Sequence, residues 1–443
     1  MAPINKIITV SLFLAAANAF SEHIKLSDAE KMAAKKSFAI LASQKDRQIG
    51  AWEKRKTIGG YLPNIAFSSS YSHTEADAEA FGMDGFPQTG MSGTGFLPFM
   101  ENSFSHQVRI DQPLSNGGAE IFAVRIANLS TQLLELHQED ARQAAILNVR
   151  RAYLNAVAAA EIITVEELAL SWADKNLSEA ITRSTIGTLP ETDILRWEAE
   201  VLDRKARLKK AEADYVSSVL GLLYEAGYGP GQIGPDTVTL ENIERLETLY
   251  ERSPVDTVGP VQNSPGYKIA AKLTEIADER KNLAIAGFIP RLNAFYSLAW
   301  PQDSVLIPSG ERYWTAGLRL DIPLFAGFTT SSSYKIAGIE AEKSALDLAR
   351  AARQISSLTG SNRAQYEASY DNVAAARKRK QVIEKTLSMM QKRYDGGMIS
   401  QTELLEISIQ VDQARAGYIQ SLVMCLIHEA QYLKSIGKLE VTQ

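Results

Sequence analysis

Cysteine is all but absent: Cys425 is the one thiol in 443 residues. That excludes an intramolecular disulfide and any cysteine-rich metal site. Its setting, the apolar run Leu422-Val-Met-Cys-Leu-Ile427 of a helical pattern, is that of a buried, inert thiol. The histidines are few and scattered (His23, His73, His106, His137 and His428) and lack metal-ligand spacing. Neither sign of charge is in large excess, the formal net charge being −5, so the basic surface of a nucleic-acid binder is missing. No run of about 18 apolar residues follows the N-terminus, which excludes a transmembrane helix. There is no nucleophile elbow and no phosphate loop. Gly227-Tyr-Gly-Pro-Gly231 leads into a Gly/Pro-rich linker, not a phosphate-facing helix, and reads as a turn. With no convergent polar cluster in the pattern, neither an enzyme nor a cofactor is expected.

What is present begins with an export signal. Lys6 supplies the positive start, Ile7–Ala17 a short apolar core, and Ala17-Asn18-Ala19 a small-x-small cleavage site. Residues 1–19 are therefore a signal peptide, and the mature chain starts at Phe20. No cysteine stands at the cleavage site, so no lipid anchor is expected.

The chain is also internally duplicated. Val108-Arg-Ile-Asp-Gln-Pro-Leu-Ser-Asn-Gly117 matches Leu318-Arg-Leu-Asp-Ile-Pro-Leu-Phe-Ala-Gly327, 210 positions later. Arg183–Leu195 matches Arg393–Leu405 at the same offset, whereas Gly60–Ile65 matches Gly287–Leu292 at 227. The first half thus carries an insertion within 73–102, a Gly-rich loop expected to be extracellular. Repeats at 20–227 and 266–436 flank a linker, 228–265, expected where the short helices meet, and a tail follows at 437–443.

Each repeat reads helix, strand, loop, strand, long helix, turn, helix. Polar helices at 27–58 and 266–287 run into a Leu/Ile-Pro pair, which breaks a helix before a strand. In the strand regions 62–72, 103–114, 290–300 and 312–324, apolar and polar residues alternate. Ile65, Phe67 and Tyr71 share a face, as do Phe104, His106, Val108 and Ile110; Leu292 to Trp300 and Trp314 to Ile322 repeat the pattern. Segments of about ten residues alternating in this way, with terminal aromatics, mark a membrane β-barrel. A barrel needs about eight strands or more, and open edges are not tolerated in lipid. Several copies must then share one barrel.

Residues 119–185 contain neither Gly nor Pro, enough for a helix of roughly 100 Å. Residues 329–395 are similar, and the returns, 191–226 and 401–436, are near half that length. Leu129, Leu133, Leu136 and Leu147, with several alanines, form the stripe for side-by-side packing. Such helices do not suit a passive porin. A soluble periplasmic scaffold would account for the helices but not for the strands and the signal.

In this order and register the motifs resemble the TolC or outer-membrane efflux protein family, over essentially the whole mature chain. The residues that carry the resemblance are Asp321-Ile-Pro-Leu-Phe-Ala-Gly327, its weaker copy Asp111–Gly117, and the turns Arg183–Leu195 and Arg393–Leu405. The resemblance implies a mainly α fold with a membrane β-barrel: a homotrimer with a 12-stranded barrel, four strands per chain, in outer-membrane lipid, over a coiled-coil periplasmic tunnel. It implies an exit duct for efflux or type I secretion, with a periplasmic adaptor and an inner-membrane transporter, ABC or proton-driven, as partners. The adaptor would dock on the tips, Gly187, Thr188, Leu189 and Pro190 in one turn and Gly397, Met398, Ile399 and Ser400 in the other. Leu189, Met398 and Ile399 would be exposed there. Gly187 and Gly397 are expected in the left-handed conformation, with Thr192 or Asp193 and Ser400 or Thr402 near the N-termini of the return helices. Glu403 and Glu406 match acidic residues that line the closed mouth. Asp193 and Tyr394 match residues that link neighbouring helices in the closed state, although Ile399 replaces an arginine of that network.

Overall fold

The structure is a computed structural model that describes residues 22–73, 102–185, 187, 189–229, 231–252, 259–302 and 312–442. The signal 1–19, the interior of the loop 73–102, and Thr188 lie outside the described residues.

The elements run β1 (Glu22–Ile24), α1 (Leu26–Lys36), α2 (Phe38–Gly59), β2 (Asn64–His73), β3 (Asn102–Asn116), α3 (Ala119–Thr185) and α4 (Glu191–Ala226). The linker follows with β4 (Val238–Leu240) and α5 (Ile243–Arg252). The second repeat holds α6 (Pro265–Ile285), β5 (Arg291–Gln302), β6 (Tyr313–Asp321), α7 (Thr329–Asp395) and α8 (Gln401–Ser435). The two long helices are 67 residues each, roughly 100 Å at the α-helical rise. They start and stop 210 positions apart, so the duplication extends to helix length. The polar helix read over 27–58 is two helices. Ser37 is extended between them and its Oγ accepts from the Ile40 amide at 3.4 Å, a cap that competes with continuous helix.

Backbone contacts divide the chain into two compact units. One comprises 45–136 and 269–351 and contains the four-stranded antiparallel sheet, in the order β2-β3-β5-β6. Its register puts Ile65 beside Ile110, Ile110 beside Tyr296, and Tyr296 beside Ala316. Phe67, Val108, Leu298 and Trp314 form the next row. One face is therefore a continuous apolar band, since side chains two apart share a face. It is open: Ile65, Phe67, Tyr71, Trp314, Leu318 and Leu320 are all exposed, Leu318 at 68 %. The other face carries Ser68, Arg109, Ser297 and Thr315, with Gln107 donating to Ser297 Oγ at 2.7 Å. Among the described residues, β2 and β6 each have one edge without a strand partner.

The other unit comprises 1–44, 137–268 and 352–443 and holds the main core. Tyr153, Leu154, Leu222, Tyr366, Tyr418, Leu422 and Cys425 are buried together. Burial pushes the Cys425 thiol up to about 11, in keeping with an inert role. The linker is structured here: β4 pairs in parallel with β1. The Tyr153 hydroxyl lies 3.0 Å from both the Ile24 carbonyl oxygen and the Glu241 carboxylate. Leu246 and Tyr250 bury one side of α5. The tail is packed as well. Leu439 is fully buried, and Arg150 binds Glu30 at 2.5 Å and the Glu440 carbonyl oxygen at 2.9 Å. Polar residues thus tie both chain ends to α3.

Candidate functional site at the helix turns

The helical unit ends in two turns, each built by local chemistry. Gly187 and Gly397 have φ of +77° and +68°, a region that costs other residues steric strain. After α7 the Gly397 amide donates to the Tyr394 carbonyl oxygen at 2.9 Å and the Met398 amide to that of Arg393 at 2.8 Å. This pair of bonds is a Schellman ending. Ser400 then caps α8: its Oγ accepts from the Glu403 amide, and the Glu403 carboxylate accepts from the Ser400 amide at 2.9 Å. The reciprocal bonds are a capping box. At α4 the position is filled by Pro190, with no side-chain cap. Thr192 and Asp193 lie inside the first turn, two and three positions past the cap, because the proline, with its preset φ, starts the helix.

Behind the turns is a small core. Trp197, Leu404, Tyr394 and Ala180 are buried, with Trp172, Leu189, Met390, Ile399 and Leu405 packed against them. Trp197 meets Trp172 edge-on at 5.4 Å and donates from Nε1 to the Tyr394 hydroxyl at 3.4 Å. The Arg183 guanidinium lies 5.5 Å from the centre of the Tyr394 ring and donates to the Asp395 carbonyl oxygen at 3.2 Å. Gln391 accepts from Trp172 and donates to Asn176, both at 3.0 Å. Gln401 donates to the Asp193 carbonyl oxygen at 3.2 Å. Residues of α3, α4, α7 and α8 are thus tied together near both turns.

The expected site residues fall into three groups. Tyr394 is buried, with its hydroxyl bonded to Trp197, and the Asp193 carboxylate is 3.8 Å from Arg196. Glu403 and Glu406 are exposed near the start of α8, and Glu403 is engaged in the capping box. Of the three apolar turn residues expected to be exposed, only Met398 is, at 71 %. Leu189 and Ile399 turn inward onto the tryptophan core because it offers them apolar contact. A guanidinium does reach Tyr394 although Ile399 is no arginine; it comes from Arg183 on α3.

Sequence reasoning missed Trp172 and Trp197, and also a buried ionic cluster farther from the turns. Arg204 of α4 is wholly buried. It binds Glu200 at 2.6 Å and Asp412 of α8, and lies 4.0 Å from Glu166 of α3. Burial pushes the Glu166 and Asp412 carboxyls above the ordinary carboxylate range, against the pull of Arg204. The signal available was antiparallel pairing: Trp172 with Trp197, and Glu166 with Arg204, stand nearly symmetrically about the first turn.

Comparison with known proteins bears on the fold. Residues 261–437 match the family described as Outer membrane efflux protein. The outer membrane channel CmeC of Campylobacter jejuni shares the fold with a TM-score of 0.76 at 15 % identity, over 94 % of this chain and 87 % of that one. The outer membrane protein VceC of Vibrio cholerae has a TM-score of 0.71 at 13 % identity, over 93 % and 96 %. The MtrE outer membrane channel of Neisseria gonorrhoeae, in its open state, gives 0.70 at 16 %, over 94 % and 89 %. No curated protein sequence matches the chain. The family model thus covers the second repeat, and the fold that these outer membrane channels share extends along nearly the whole chain.

Proposed function

We propose that the chain is one protomer of a trimeric outer-membrane exit duct, a channel-tunnel that exports small molecules or proteins with a periplasmic adaptor and an inner-membrane transporter. The observation that carries this reading is the sheet. It exposes a continuous apolar face and, among the described residues, has two edges without strand partners, a state that neither water nor lipid tolerates. Copies that pair β6 with the next copy's β2 remove every edge. Three copies give twelve strands and an apolar band for the outer-membrane lipid. The long helices would form the periplasmic tunnel. Extraction from membranes with detergent is expected to yield a trimer that conducts ions in a planar bilayer. A water-soluble monomer after signal removal would end this reading.

The turns are then the adaptor-docking tips, through Gly187, Leu189, Pro190, Gly397, Met398, Ile399 and Ser400, with Thr188 among them in sequence. Asp193, Tyr394, Glu403 and Glu406 belong to the periplasmic gate, Tyr394 by bracing the helix ends and the glutamates by facing the mouth. Met398 is the cleanest probe of docking because its side chain has little packing to lose. Met398→Asp is expected to reduce crosslinking to the adaptor, and export with it, while the trimer melts as wild type does. Ile399→Asp, by contrast, places a charge in the tryptophan core and should lower the melting temperature as well. Wild-type crosslinking and export in the Met398 variant would remove that residue from the docking surface.

A further inference from the structure

The last turns of α2 have a composition that the fold does not require. Trp52 is 65 % exposed and the Arg55 guanidinium lies 5.3 Å from its ring centre. Lys54, Arg55 and Lys56 follow in sequence, and Lys56 is open to solvent apart from a 3.5 Å contact with Glu53, a surface pair that neutralises little. Ile58 and Leu62 are exposed in the same segment. The duplication supplies an internal control. At the 227-residue offset, Glu279, Arg280, Lys281, Asn282 and Leu283 replace Trp52, Glu53, Lys54, Arg55 and Lys56. There too a helix passes through a proline into a strand of the same sheet. In that copy Glu279 is occupied by Arg125 at 3.6 Å, and neither the aromatic residue nor the cation triplet is present. The scaffold is thus built equally well without them.

We infer that Lys54, Arg55 and Lys56, beside Trp52, bind the anionic headgroups of phospholipid in the periplasmic leaflet. This rests on the duct reading, because the exposed sheet face that begins at Ile65 is then the lipid-facing one. The segment adjoins it along the chain: α2 ends at Gly59 and β2 starts at Asn64. Trp52 is seven residues before the helix end, about 10 Å at the helical rise. Long cationic side chains span such a gap by extending toward the headgroups. Tryptophan favours the interface, where its ring is half in apolar surroundings and its N–H is solvated. Cations close to an anionic surface attract it additively. The partner is a lipid surface of negative charge, and the short connection from Gly59 to Asn64 is what keeps the triplet within reach of it.

The test uses the detergent-purified full-length trimer, with phosphatidylglycerol and phosphatidylcholine as probes and bound lipids counted by native mass spectrometry. The wild type is expected to retain phosphatidylglycerol in preference, on the order of a hundredfold for three such charges. Lys54→Gln/Arg55→Gln/Lys56→Gln should lose most of that preference. A control pair on α7, Lys378→Gln/Lys385→Gln, should keep it, and the charge-preserving Lys54→Arg/Arg55→Lys/Lys56→Arg should restore it. In vesicles, brominated phosphatidylglycerol should quench a part of the fluorescence that Trp52→Phe removes. Equal preference in the wild type and the triple Gln variant overturns the inference, as does loss of preference in the control pair. A conducting trimer with no preference overturns this inference alone. A chain that forms no membrane-inserted trimer overturns the duct reading with it.

Discussion

Arg204→Met is expected to destabilise the helical unit by about 3–5 kcal/mol, the usual cost of removing one member of a buried ion pair. The side chain is wholly buried among Glu200, Asp412 and Glu166, so its loss strands acidic groups in a poorly solvated site. The pH dependence follows from the directions already present. The Asp412 and Glu166 carboxyls stand above their unfolded values because of burial. A raised carboxyl favours the folded state below its unfolded pKa, and that advantage is lost as pH rises through the folded value. Without the guanidinium both should rise further. The loss in Arg204→Met is therefore greatest near neutrality and shrinks in mild acid, where the carboxyls take up protons. Melting by circular dichroism at the two pH values checks this, and Asp412→Asn added to Arg204→Met should recover part of the loss. A pH-independent loss below about 1 kcal/mol would mean that solvent reaches this cluster.

The second large effect concerns the mouth. Glu403→Gln/Glu406→Gln is expected to abolish block of single-channel conductance by multivalent cations added from the periplasmic side. Glu403 and Glu406 are three apart on α8, which puts them on neighbouring positions of one surface, and both are exposed. Three copies around one axis would gather their carboxylate oxygens, a ligand set suited to hard cations. The two residues are not equivalent. The Glu403 carboxylate holds the Ser400 amide at 2.9 Å and the Ser400 hydroxyl at 3.1 Å, so part of its accepting capacity is spent within the chain. Glu406→Gln alone should therefore weaken the block more than Glu403→Gln alone. Glutamine is the right replacement at 403 because it can still complete a capping box; alanine would add about 1 kcal/mol of lost capping. Block of the double variant at wild-type strength would reduce both glutamates to surface residues.

The tips show where reading from sequence stops. Leu189, Met398 and Ile399 are alike as apolar residues in short turns, and nothing local separates them. The tryptophan core separates them, by drawing Leu189 and Ile399 inward and leaving Met398 outside. Its members come from four helices, and Trp172 and Tyr394 are more than two hundred positions apart. Tyr394 likewise stands in a turn motif, and nothing in that motif points to Trp197, which donates to its hydroxyl. Partners of this kind depend on the rotation of one helix against another, which no local pattern encodes.

By itself the sequence determined what is periodic or repeated. The alternation of Trp314 to Ile322 is a strand with one apolar face because side chains along a strand alternate. The run from Ala119 to Thr185 is one helix because it contains no breaker. The duplication at 210 positions carried this order into both halves and, with the strand-exit motif Asp321–Gly327, the resemblance to the family. Only the tertiary structure decided which edges of the sheet stay open and that the linker and tail are packed parts of the core. It also decided that Arg204 is enclosed by acids from three helices. The reason is physical: helices and strands follow from neighbours a few residues apart, whereas burial and ion pairing follow from surfaces that meet only after the chain has folded.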